Sequence, residues 1–79
     1  MKTVTDLSKL QEGQHAHVLT LTANEGIRRR MQDLGLIQGT KVECVQKSPF
    51  RDPIAFLIRG AVIALRSEDS SQVIVEYEA

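Results

Sequence analysis

Between Ile54 and Arg66 the chain carries almost no polar side chain, and the run is broken only at Arg59-Gly60. Two short apolar segments around a glycine read as a tight β-hairpin, Ile54 to Arg59 paired with Ala61 to Arg66. Side chains alternate across a strand, so Ile54, Phe56 and Ile58 share one face with Ala61, Ile63 and Leu65. The opposite face carries Ala55 and Leu57 with Val62 and Ala64. A sheet with one wet face alternates apolar with polar, and here both faces are apolar. Either another part of the chain covers the second face, or that face is an exposed docking patch.

The other segments read mostly as strands too. His15 to Thr20 alternates with Ala16 and Val18 on one face, and Thr40 to Lys47 does so with Val42 and Cys44. Gln72 to Tyr77 reads as the last strand. Ser67-Glu68-Asp69-Ser70-Ser71 reads as one helical turn capped by Ser67. A single longer helix is expected at about residues 23–34. Thr22 and Glu25 form a capping box, with Asn24 as an alternative cap. Ile27, Met31 and Leu34 recur on one helical face, and Gly35 ends the helix with Leu36 placed to touch Met31. The expected fold is therefore mainly β, a small barrel of about five strands with one inserted α-helix.

A faint echo runs through the first half. Leu10-Gln11-Glu12-Gly13 leads into Ala16 and Val18, and Leu36-Ile37-Gln38-Gly39 leads into Val42 and Cys44, twenty-six residues later. The echo places Cys44 inward, like Val18. It places His15 and His17 outward, like Lys41 and Glu43.

The chain has 79 residues, enough for one small core and a single domain, residues 1–79. Ten basic residues balance ten acidic ones, so neither nucleic acid nor an anionic membrane is the expected partner. One cysteine makes no internal disulfide and fits a reducing compartment. No apolar run approaches the ~20 residues of a membrane span, and no signal peptide opens the chain. The expected location is the cytoplasm.

Catalysis is poorly supported. Both histidines lie on one short strand with no acid at a telling spacing, and the glycines are dispersed rather than gathered into a phosphate loop. No cofactor is expected. His15 and His17 are the one metal-like pair, both pointing the same way, but a stable site takes three or four ligands and Cys44 faces the other side. Arg28, Arg29 and Arg30 fan out about 100° apart on the helix, with Glu25 and Asp33 within reach to pair with them. Arg29 points straight away from the apolar stripe and suits an acidic partner. Between two strands, Ser48-Pro49-Phe50-Arg51-Asp52-Pro53 forms a loop stiffened by two prolines, which offers Phe50 and Arg51 to a partner's surface.

From Arg29-Arg30-Met31 through Leu34-Gly35-Leu36 to Gly39-Thr40 the chain resembles the FeoA family of small proteins of bacterial ferrous iron uptake. The resemblance resumes at Ser48-Pro49, Asp52-Pro53-Ile54, Ile58-Arg59-Gly60, Ala64-Leu65-Arg66 and Val73 to Glu76, and it covers nearly the whole chain. It implies an SH3-like β-barrel with a helix inserted after the first strand. It also implies an accessory role at the FeoB-type ferrous iron transporter, through that transporter's cytoplasmic GTP-binding domain or its membrane core. The same domain type ends the DtxR-like metal-dependent repressors, which leaves a free-standing peptide-binding or metal-dependent regulatory module as the alternative. Ala55, Leu57, Val62 and Ala64 stand where family members often carry charged or polar groups. The expected partner-binding residues are therefore these four, with Phe50, Arg51 and Arg29, and the hairpin face is also the expected site of any homodimer.

Overall fold

The computed structural model describes residues 1–50 and 52–78. Six strands form one antiparallel sheet: β1 (Lys2–Asp6), β2 (His15–Leu21), β3 (Lys41–Lys47), β4 (Ile54–Ile58), β5 (Ala61–Leu65) and β6 (Val73–Glu78). Their order across the sheet is β1-β6-β2-β3-β4-β5. A 3-10 turn, Leu7–Lys9, follows β1, and two helices, α1 (Glu25–Asp33) and α2 (Ser67–Ser70), lie between strands. The ladder slips between Val18 and Thr20 and again between Cys44 and Gln46. Such bulges bend and twist a strand, and here the sheet wraps round one core like an SH3-type barrel. Among the described residues no ladder joins β1 to β5, so the barrel stays open there.

The core draws on every strand except β1: Ala16, Val18, Val42, Cys44, Ile54, Phe56, Ile58, Leu65, Val73 and Val75 are buried. Leu7 and Leu10 plug it from the 3-10 turn, and Met31 and Leu36 from the α1 region. The alternation read for β2, β3 and β4 thus holds, whereas on the expected inner face of β5 only Leu65 is buried, Ile63 is half-buried and Ala61, next to the turn, is exposed.

The apolar pattern gives about five strands, and β1 is the sixth. Its segment Lys2-Thr3-Val4-Thr5-Asp6 has one large apolar residue, and Val4 faces out. Hydrophobic pattern therefore could not reveal it; β1 is held by pairing along its whole length with β6, from Lys2 opposite Glu78 to Asp6 opposite Ile74.

The longer helix begins two residues later than expected. Asn24 is its cap, accepting the Ile27 N–H on its side-chain oxygen at 3.1 Å. Thr22 instead donates its hydroxyl to the Gln72 carbonyl at 3.2 Å, tying the end of β2 to the start of β6. The far end behaves as read. Gly35 takes a φ of 104°, its N–H donates to the Gln32 carbonyl at 3.0 Å, and the Leu36 N–H donates to the Met31 carbonyl at 3.0 Å. Those two bonds satisfy the open carbonyls of the last turn. Ser67 is the first residue of α2 rather than its cap; Arg66 occupies the cap position without a side-chain bond. The Ser67 N–H is taken by the Asp52 carboxylate at 3.1 Å.

Candidate functional site

The hairpin face left over from the core is an apolar surface. Ile54, Phe56 and Ile58 turn inward, so Leu57 and Ala55 turn outward. Leu57 stands directly opposite Val62, and Ala55 opposite Ala64. Leu57 is 36% exposed and Val62 is 63% exposed, so nothing among the described residues covers this face. On its inner border Glu43 lies opposite Leu57, and Gln46 lies opposite Ala55. Val45, also exposed, sits in the bulge beside Ala55 and extends the patch. Val45 is not among the residues expected on this face from sequence, although its apolar side chain falls out of phase with Val42 and Cys44.

The loop between β3 and β4 is braced at both ends. The Asp52 N–H donates to the Ser48 hydroxyl at 2.8 Å, and the Lys47 N–H donates to the Glu12 carboxylate at 2.7 Å. The Asp52–Pro53 peptide bond is cis. Phe50 at its tip is 91% exposed and lines a shallow depression with Lys9, Lys47 and Ile54. Arg51 lies outside the described residues. Arg29 lines a separate depression with Ala23, Glu25, Arg28 and Gln32, so it does not share a surface pocket with Phe50. Arg28 turns back and donates to the Leu21 carbonyl at 2.9 Å. Among the described residues neither Glu25 nor Asp33 forms an ion pair with the arginines; the backbone of β2 has taken Arg28 instead.

His15 and His17 lie side by side on the outer face of β2, as the alternation requires. The His15 Nε2 is 3.0 Å from the Glu43 carboxylate across the β2–β3 ladder. His17 lies between Lys41 and Glu76 in register, in a groove of about 500 Å³ that Lys2, Tyr77 and Glu78 complete. Cys44 is buried on the other face, where burial pushes its thiol pKa up, against a weaker downward pull from Lys47. Among the described residues no three histidine, cysteine or acidic side chains gather closely enough to hold a metal ion. None of the helices among the described residues is long and apolar enough to cross a membrane.

The FeoA domain family matches residues 5–77. Over 70 residues the chain is 31% identical to the Fe(2+) transport protein A/Fe(2+) transporter FeoB fusion protein of Porphyromonas gingivalis. That match covers 89% of this chain, while the chain spans 8% of the fusion protein's length. The solution structure of a FeoA protein from Chlorobium tepidum superposes with a TM-score of 0.87 at 32% identity, over 95% of this chain and 71% of that one. FeoA of Stenotrophomonas maltophilia, solved as a zinc complex, superposes with a TM-score of 0.81 at 28% identity, over 92% of this chain and 95% of that one. That protein is described as a procaryotic SH3-domain protein and suggested as an activating factor of bacterial ferrous iron transport.

Proposed function

The chain belongs to the FeoA family, and from that membership we propose a small cytoplasmic accessory protein of ferrous iron uptake. It works by binding an FeoB-type transporter, with no catalysis of its own. The observation that carries this reading is the fusion protein of Porphyromonas gingivalis, where a relative of this chain and an FeoB transporter share one polypeptide. Covalent joining keeps two partners at high effective concentration, which is useful only where they act together.

The geometry supports a docking role. Leu57, Val62, Ala55 and Ala64 form an apolar patch on a rigid hairpin, bordered by the polar Glu43 and Gln46. An apolar centre with a polar rim is the usual anatomy of a protein interface. Phe50 provides a second, aromatic contact, and the groove in which Lys2 and Lys41 stand with Glu76 and Glu78 a charged one of mixed sign.

The test is an NMR titration of the labelled chain with the soluble GTP-binding domain of the FeoB-type transporter from the same cell, with and without a GTP analogue. Amide shifts clustered on Val45, Ala55, Leu57, Val62 and Phe50 are the expected result. Absence of shifts at high micromolar partner, with intact transporter in nanodiscs also silent, would overturn the reading.

A further inference from the structure

The free edge of β5 has a consequence beyond the patch on its face. Arg59 and Gly60 form a two-residue turn with φ of 51° and 85°, and Ile58 and Ala61 close it. Bonded and non-bonded pairs alternate in an antiparallel ladder. From that closing pair, Ala61, Ile63 and Leu65 turn their backbone N–H and C=O groups toward β4. Val62 and Ala64 turn theirs away. No strand lies beyond β5, and the backbone groups of Val62 and Ala64 bond to no other element among the described residues.

Exposed edges of this kind are normally blunted by charge, proline or a bulge. The opposite edge of the sheet follows that rule: β1 carries Lys2 and Asp6, and Lys2 pairs with Glu76 at 3.4 Å. β5 does not. It reads Ala61-Val62-Ile63-Ala64-Leu65, it has no bulge, and its register with β4 is unbroken.

Beside this edge runs a groove of about 450 Å³. Ala64, Leu65 and Arg66 line it from the β5 side, and the half-buried Ile27 and Leu34 of the α1 region line it over the buried Met31, with Glu68 and Asp69 also on its wall. Arg30 stands on the helix wall, exposed, and forms no ion pair among the described residues.

We propose that this groove binds an extended segment of a partner protein, which adds to the sheet as a strand between β5 and α1. Its backbone satisfies Val62 and Ala64, its alternate apolar side chains meet the half-buried Ile27 and Leu34, and an acidic side chain meets Arg30. The helix wall favours a lone segment over a second copy of this chain, because a second β5 brings its own β4 behind it and α1 stands in that space. The proposal concerns how a partner is gripped and holds whichever protein supplies the strand.

The test uses the whole chain and a small panel of capped octapeptides that alternate valine or leucine with threonine, each carrying glutamate or glutamine at one end. Expected are amide shifts at Val62 and Ala64, methyl shifts at Ile27 and Leu34, and slowed amide exchange at Val62 and Ala64. Ala64→Pro removes an outward N–H that an edge strand does not need for its own pairing, and it should weaken binding about tenfold. Arg30→Glu, a surface change that keeps the fold, should weaken the glutamate peptides and spare the glutamine ones. Peptides that leave every amide unmoved at millimolar concentration overturn the proposal. So does unchanged binding in a folded Ala64→Pro or Arg30→Glu variant. A concentration-dependent dimer that protects Val62 and Ala64 without peptide overturns it in favour of a second copy.

Discussion

Val18 and Cys44 occupy equivalent places in one symmetric clasp. The Val18 N–H donates to the Thr40 carbonyl at 2.9 Å, and the Val18 carbonyl accepts from Gly39 at 2.8 Å. The Cys44 N–H donates to the Gln14 carbonyl at 3.0 Å, and the Cys44 carbonyl accepts from Gly13 at 2.7 Å. Gly13 and Gly39 have φ of 87° and 88°, and Ala16 faces Val42 at the centre. The echo in the sequence is therefore a local two-fold relation between β2 and β3, in which the His15–Glu43 pair matches the Lys41–His17 pair.

Because Val18 fills the matching position, Cys44→Val should be accepted within about 1.5 kcal/mol, as shape-conserving core changes usually are. Cys44→Ser buries an extra hydroxyl and should cost about 1–3 kcal/mol. Urea unfolding curves of the two variants check this; equal losses would mean that the clasp does not define the site.

The raised thiol pKa of Cys44 gives a pH dependence with a definite sign. The folded chain keeps the thiol proton at pH values where the unfolded chain, with a pKa of about 8.5, has lost it. This contribution to stability is complete below that value and is lost as pH rises toward the folded pKa. Tm should therefore fall more steeply above about pH 8.5 in the natural chain than in Cys44→Val. Thermal melts across that range decide it. Alkylation of Cys44 should likewise follow the rate of unfolding, since the side chain is fully buried.

Gly35 lies under Arg59, and a Cβ added to Gly35 would sit 2.6 Å from Arg59 Cδ. With φ at 104° as well, Gly35→Ala should cost about 1–3 kcal/mol. Arg59→Gly removes the obstructing side chain but leaves the backbone penalty. The loss from Gly35→Ala should thus be smaller in an Arg59→Gly background, and a double-mutant cycle by chemical denaturation measures the difference.

The capping assignment separates two neighbours. Asn24→Ala should cost about 1 kcal/mol, the usual loss of an N-cap. Thr22→Ala, which removes one exposed bond to Gln72, should cost no more than about 0.5 kcal/mol. The reverse order in denaturation midpoints would restore Thr22 as the cap.

Leu57→Glu places a charge on the outer hairpin face. The circular dichroism spectrum and melting curve should stay close to those of the natural chain, because the side chain is over a third exposed. Binding to the FeoB-type GTP-binding domain should weaken about tenfold or more, the loss typical of an apolar interface centre. An unfolded variant would mean that Leu57 belongs to the core.

Much of this protein is settled by local pattern. Alternation fixed which faces of β2, β3 and β4 turn inward, and the Met31 to Leu36 segment announced the end of α1. Both depend on backbone geometry within a few residues, which side-chain type controls directly. Two apolar faces on one hairpin left a choice between a covered face and an exposed patch, and the exposure of Leu57 and Val62 decides for the patch.

Other features rest on groups distant in the chain. β1 has no apolar face of its own and becomes a strand because β6 offers a free ladder. Thr22 and Asn24 are both competent caps, and Thr22 loses the role because the Gln72 carbonyl lies within its reach. The arginines of α1 were expected to pair with Glu25 and Asp33, yet Arg28 turns to the Leu21 carbonyl. The exposed edge of β5, and the helix standing across from it, depend on the order in which strands assemble. Periodicity within one strand encodes which side is buried, but carries no record of which neighbours its backbone will find.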